Sequence, residues 1–223
     1  LLLHRAKQPP ADIAQQVWYP IWDEGLKLGH SVRTVAEALA LAGEDLDTAT
    51  SLLTVRHLAG DAELTGELAT AALDRWRKKS KRYLTLLRDS AIARQARFGE
   101  VAYLLEPDLK EGRGGLRDIH ALRWAELARP VLDPADPIEL ERAEDVLFGA
   151  RVELHRLTGR AGDRLTLDQQ DAVGRALDTD ADGLMARIAT AARTVAWIAD
   201  ETWDRVGAAT SSGPSLLGWR SRE

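Results

Sequence analysis

The amino-acid sequence predicts a mainly α-helical chain in which a short α/β segment precedes a helical bundle. Apolar residues recur three and four apart at Leu140, Ala143, Val146, Leu147, Ala150, Leu154 and Leu157, and again at Leu184, Ile188, Ala191, Val195, Ile198 and Thr202. That spacing places each set on one stripe of a helix, which must then be buried. From Asp61 onward Ala and Leu abound and β-branched residues are few, as helix propensity favours. Before Asp61 the pattern differs: Leu1-Leu2-Leu3 and the alternate positions Leu26, Leu28 and Val32 suit strands.

The elements follow in order. Leu1–Leu3, with no initiator Met, reads as the end of a buried strand in a longer polypeptide, and the following Pro9-Pro10 as a loop. Asp12 is expected to cap a helix carrying Ile13, Val17 and Trp18, which Pro20 kinks or ends before Trp22 and Gly25 closes. Leu26–Arg33 reads as a half-buried strand. Thr34 and Glu37 have the spacing of a capping box, so a helix is expected from there to about Leu41. Asp45 or Asp47 can cap the next helix after the Gly43 break, and Asp61 can cap the one after that. Leu64, Leu68, Ala71 or Ala72 and Arg75 trace one face of that long helix. Pro130, Pro134 and Pro137 punctuate an acidic linker between later helices, and the Ser- and Gly-containing end suits a loose tail. The expected organisation is therefore an α/β part at 1–60, a helical domain at 61–206 and a flexible tail at 207–223.

Composition excludes several classes. The 223 residues, 45% hydrophobic and 29% charged, can bury a core, so disorder is excluded. A net charge of −5 argues against a protein whose affinity comes from bulk nucleic acid. With no cysteine there is no disulfide frame and no thiolate metal site, which suits the reducing cytoplasm. No apolar run approaches the roughly 20 residues of a membrane span, so neither nucleic acid nor membrane is an expected partner. Stretch 74–97 holds nine Lys/Arg against Asp74 and Asp89, but Trp76 and Tyr83 are too sparse for a base-stacking platform, and a solvated face is the simpler reading.

Two segments are able to carry chemistry. Leu105 to His120 contains Gly112, Gly114 and Gly115 with Lys110, Arg113 and Arg117, and opens a helix near Gly115. Glycines admit a close backbone approach, and a helix N-terminus with added cations suits phosphate. The same residues also suit an ordinary capped connection with Arg117 and Asp118 in surface pairs. The terminal Gly-Lys-Ser/Thr of a Walker loop is missing. In the second segment, Trp22 to Thr34, His30 is either an acid/base group or a structural histidine. Arg33 suits bidentate phosphate contact better. Asp45, Arg56 and Asp61 can complete a cleft, although capping explains both aspartates without function.

Taken together, Trp22-Asp23-Glu24-Gly25-Leu26-Lys27-Leu28-Gly29-His30-Ser31-Val32-Arg33-Thr34, then Asp45–Thr50 leading to Arg56-His57-Leu58-Ala59-Gly60-Asp61, then Leu105–Lys110 with Gly114-Gly115-Leu116-Arg117-Asp118-Ile119-His120, resemble the protein-PII uridylyltransferase/uridylyl-removing enzyme family. Asp163-Arg164-Leu165-Thr166-Leu167-Asp168-Gln169-Gln170 extends the resemblance over nearly the whole chain. The Gly-His-Ser-Val-Arg-Thr and Gly-Gly-Leu-Arg-Asp blocks are its specific parts.

The resemblance implies a truncated nucleotidyltransferase α/β remnant of the DNA-polymerase-β type followed by a helical bundle domain. It implies transfer of UMP from UTP to a tyrosine of the PII nitrogen-signalling protein, with pyrophosphate release. Its nucleotide-binding residues map to Gly29, His30, Ser31 and Arg33 and to Lys110, Gly114, Gly115, Arg117 and Asp118. Mg²⁺ is implied too, held by an Asp-x-Asp pair that lies before the match to Leu1–Leu3 and is absent here. The chain alone is therefore expected to be inactive or nearly so. Asp23, Asp45 and Asp47 are the candidates for a third metal carboxylate. No HD motif follows, so uridylyl removal and glutamine sensing are not assigned to these residues. Two alternatives stay open: a PII adenylyltransferase, and a non-catalytic regulatory helical module.

Overall fold

The computed structural model describes residues 1–5, 7 and 10–210. These residues form nine α-helices and one two-stranded sheet, so the chain is mainly α. It divides into two compact units, Leu1–Lys79 and Ser80–Glu223. No helix among the described residues is long and apolar enough to cross a membrane.

In the first unit β1 (Leu2–Leu3) pairs in parallel with β2 (Val32–Arg33), Leu2 opposite Val32 and Leu3 opposite Arg33. The ladder is closed by Leu2 N–H donating to Ser31 O at 2.9 Å and His4 N–H to Arg33 O at 3.1 Å. Parallel strands need a crossover, and α1 (Ala11–Asp23) supplies it. The strand expected over Leu26–Arg33 is thus shortened to its last two residues. A ladder extends only as far as its partner, and β1 offers two residues; Leu26 is left exposed. Two details of α1 also differ from expectation. Asp12 lies in the first turn after Pro10 rather than capping it, and of the kink or end expected at Pro20 the end does not occur, since the helix runs on to Asp23. Aromatic packing holds the last turn: the Trp22 ring lies 6.4 Å from Trp18 and 5.7 Å, edge-on, from Tyr19. Gly25, at φ +72°, then reverses the chain.

The helices that follow start where short polar side chains meet free backbone amides. The N–H of Glu37 donates to Thr34 Oγ1 at 3.2 Å and that of Thr34 to Glu37 Oε2 at 2.7 Å, the two halves of a capping box on α2 (Val35–Ala42). Asp45 accepts from Thr48 N–H at 2.7 Å to cap α3 (Leu46–Ser51), and a 3-10 turn covers Leu52–Thr54. Asp61 accepts from Glu63 N–H at 2.9 Å to cap α4 (Ala62–Lys78). The buried stripe of α4 is Leu64, Leu68, Ala72 and Trp76, a strict four-residue step that passes beside the expected Arg75.

The second unit contains α5 (Ser80–Phe98), α6 (Leu116–Ala128), α7 (Asp136–Thr158), α8 (Leu167–Ala176) and α9 (Ala181–Thr210). The basic run 74–97 is thus broken between α4 and α5. α9 packs against α5, α6, α7 and α8. Its predicted stripe, Leu184 to Thr202, is buried at every position. On α7 the stripe holds at Leu140, Ala143, Leu147, Ala150 and Leu154, but Leu157 is exposed at the last turn before the left-handed Gly159. Pro137 enters the first turn of α7, where its missing N–H costs no hydrogen bond. The stretch 207–223, expected as a loose tail, begins helical, because α9 continues to Thr210. Residues 211–223 of that stretch lie outside the described residues.

Candidate functional site

The loop from Glu106 to Gly115 lies between α5 and α6, and its backbone is bonded almost throughout. Asp108 Oδ1 accepts from the N–H groups of Lys110 at 3.0 Å and Glu111 at 2.7 Å, turning the chain. The Leu109 N–H donates to Asp163 O at 2.9 Å and the Leu165 N–H to Pro107 O at 2.9 Å, joining the loop to the segment before α8. Glu106 pairs with Arg164 at 2.7 Å, and Gln170 Nε2 donates to Leu105 O at 2.7 Å.

The glycines serve this internal closure. Gly114 adopts φ +79°, and a Cβ there would lie 2.3 Å from Ala192 O on α9. A Cβ on Gly115 would lie 2.8 Å from Gly112 O and 2.9 Å from Leu109 O. The first amides of α6 are occupied as well: Leu116 N–H donates to Leu109 O at 3.0 Å and Arg117 N–H to Lys110 O at 2.9 Å. Asp118 is buried. Its Oδ2 accepts from Gly114 N–H at 2.7 Å, while Oδ1 accepts from Arg94 of α5. Burial pushes the Asp118 carboxyl above the usual range, against the pull of Arg94 and the Gly114 amide.

Over this folded backbone the cations are displayed. Lys110 and Arg117 are each about one-third exposed, and both face Glu111, Lys110 Nζ at 3.5 Å and Arg117 Nη2 at 3.2 Å. Lys110 is also 3.7 Å from Asp163, which accepts from Arg151 Nε at 2.7 Å and bonds His155 Nε2 at 2.9 Å. Burial acts to raise Asp163, but the bonds from Arg151 and His155, with the charge of Lys110, leave its carboxyl below the ordinary value. Arg113 pairs with Glu100 at 2.7 Å and with Asp200. His120 sits below its usual pKa because of burial, opposed by Glu144 and reinforced by Arg117, Arg123 and Lys110.

The remaining candidates belong to the first unit. Ser31 and Arg33 line a cleft of about 630 Å³ whose apolar lining includes Leu2 and Leu52 and whose other polar groups include Arg56 and Thr48. His30 instead packs against Trp18 and Trp22, with ring centroids at 4.6 and 4.8 Å. Gly29 faces open space. The nine residues are therefore divided, four in the first unit and five in the second. Sequence reasoning passed over Glu111, Arg151 and His155. Arg151 and His155 are four apart on α7, on a face the apolar stripe drew attention away from.

The carboxylates present do not fit a magnesium site. Asp45 is engaged in capping α3, and among the described residues no group of three or more His, Cys, Asp or Glu converges on a point. No chemistry through a metal is derived from this chain.

Comparison with known proteins agrees with the motif reading. The family model for GlnD PII-uridylyltransferase matches residues 82–203. A bifunctional uridylyltransferase/uridylyl-removing enzyme of Streptomyces coelicolor is 47% identical over 210 residues, covering 93% of this chain and 25% of the relative. Proteins of the same name from Mycobacterium tuberculosis and Caulobacter vibrioides are 39% and 37% identical over 90% and 78% of this chain, and 26% and 20% of their own lengths. The chain thus spans about a quarter of the length of the curated relatives it matches. No solved structure matches it. The match over 82–203, more than half of the chain, carries the loop, its cations and the helices that hold them, and by it this chain belongs to the GlnD PII-uridylyltransferase family.

Proposed function

We propose that this chain is the phosphate-handling part of a PII uridylyltransferase, which moves UMP from UTP to a tyrosine of the PII signalling protein and releases pyrophosphate. Family membership supports the reaction class, and the single structural observation that carries the reading is the partly exposed pair Lys110 and Arg117 above a glycine-closed backbone. In such a transfer the tyrosine oxygen bonds to the α-phosphorus while the bond to the bridging oxygen of the β-phosphate breaks. Negative charge then gathers on the leaving pyrophosphate, where fixed cations stabilise it. Lys110 and Arg117 are assigned that contact. Gly114, Gly115 and Asp118 act through the loop they hold, because their free space and both carboxylate oxygens are already taken.

In the first unit Ser31 and Arg33 are assigned to a nucleotide in the cleft of that unit which they line, while His30 is held against Trp18 and Trp22. Mg²⁺, which neutralises the triphosphate in this reaction class, is assigned to residues outside this chain, so the chain alone is inactive. A chain without cysteine suits the reducing cytoplasm.

Intact mass of purified PII after incubation with UTP or ATP and Mg²⁺ tests the reading, using this chain and a protein extended upstream in its natural reading frame. A uridylyl-sized gain with the extended protein and UTP alone is the expected result. An adenylyl-sized gain replaces the nucleotide, and no gain from either overturns the enzyme reading in favour of a regulatory helical module.

A further inference from the structure

The carboxylate of Glu111 occupies a place that suits a more highly charged group. It faces three cations, Arg117 Nη2 at 3.2 Å, Lys110 Nζ at 3.5 Å and Arg94 Nε at 3.9 Å. Only the first is within ordinary hydrogen-bond distance. Arg94 Nε is buried and has no hydrogen-bond partner. The other anions nearby are committed elsewhere: Asp118 to Arg94 and Gly114, Asp163 to Arg151 and His155. Arg117 therefore has Glu111 as its counter-ion, and Lys110 shares that carboxylate while also lying 3.7 Å from Asp163. The backbone of Glu111 is pinned by its N–H bond to Asp108 at 2.7 Å, so its carboxylate can leave by side-chain rotation alone. A phosphate offers several oxygens where a carboxylate offers two, and it meets a cluster of three cations from one position.

We propose that Glu111 is a resident stand-in for a pyrophosphoryl group: Arg94, Lys110 and Arg117 bind the phosphate tail of a nucleotide or free pyrophosphate when the Glu111 carboxylate rotates out, so that Glu111 competes with the ligand for its own site. This rests on the phosphate-handling reading above and adds to it an internal competitor that lowers the positive charge of the empty site and sets how tightly pyrophosphate is held. The neighbouring His120, with Arg123 and Glu144 beside it, lies in the field of the same Lys110 and Arg117.

The test is calorimetric titration of inorganic pyrophosphate into the 223-residue chain without metal. Glu111→Gln is expected to bind pyrophosphate roughly tenfold more tightly than the unaltered chain, a change equivalent to about 1.4 kcal/mol. Lys110→Met with Arg117→Met is expected to abolish binding, with circular dichroism confirming that each variant keeps its helices. In the unaltered chain, pyrophosphate is expected to raise the pKa of His120 followed by NMR, a readout that needs no variant. Equal or weaker binding by a folded Glu111→Gln overturns the proposal, as does a His120 titration unmoved by saturating pyrophosphate. Competition separates the two sources of the ligand: displacement of pyrophosphate by UTP but not UMP assigns the site to the nucleotide tail, and no displacement by UTP assigns it to the released product. Tighter binding by Glu111→Gln alongside an extended protein that fails to modify PII leaves this inference standing and removes the uridylyltransferase reading. The reverse pair of results does the opposite.

Discussion

The segment Gly29–Arg33 and the loop Asp108–Asp118 both set glycine beside arginine, yet they use glycine in opposite ways. A side chain on Gly29 would meet nothing within 4 Å, whereas one on Gly114 would meet the α9 backbone at 2.3 Å. In the first segment the glycine leaves a surface bare beside an aromatic cluster. In the second, glycines let a loop fold onto itself and onto a helix, and the cations stand out because the backbone beneath them is already satisfied. Glycine next to a cation is therefore a poor guide to where a ligand touches. What matters is whether the backbone amides are free, and in the loop they are not.

That contrast can be broken most forcefully at Asp118. Its replacement by Ala leaves the largely covered Arg94 side chain beside Glu111 without its closest partner, and urea unfolding followed by near-ultraviolet circular dichroism should show a loss of about 4 kcal/mol. Gly114→Ala should cost about 3 kcal/mol in the same measurement, from a left-handed backbone and a clash with a carbonyl that cannot move without shifting α9. At Asp163, replacement by Asn should cost about 2 kcal/mol by weakening the bonds to the Arg151 guanidinium and to His155. Its lowered pKa also has a direction in pH. The stabilisation is fully present above the unfolded-state value and disappears as pH falls through the folded one, so acid unfolding below about pH 4 should be less steep in Asp163→Asn than in the unaltered chain. Gly29→Ala sharpens the comparison from the other side: with open space at its Cβ, a change within about 0.5 kcal/mol is expected.

The features legible in the sequence are those whose causes lie a few residues apart. Thr34 and Glu37 announce their capping box because both partners fit within one turn, and Asp45 and Asp61 announce caps for the same reason. The stripe from Leu184 to Thr202 is legible because one helix packs on four neighbours along its length. Where a partner is distant or short, the pattern misleads. Leu26–Arg33 alternates like a strand, but only two residues lie opposite it. Leu157 continues a stripe past the point where burial stops. Within the candidate site, Lys110 and Arg117 could be picked out by residue type, since cations beside glycine invite a phosphate reading. The counter-charges could not: Arg94 is 24 positions from Asp118, and Asp163 reaches Lys110 only because the Asp108–Arg164 bridge draws two separate stretches together.

The contact between Gly114 and the Ala192 carbonyl has a consequence for the order in which the protein is made. A ribosome delivers the loop long before it delivers α9, so the growing chain holds Lys110 and Arg117 on a backbone whose final support has not yet been synthesised. Closure across so long a stretch of sequence comes late in folding. The loop is therefore set late, when α9 docks, and a nascent chain stopped before Ala192 carries the motif in its sequence without its shape.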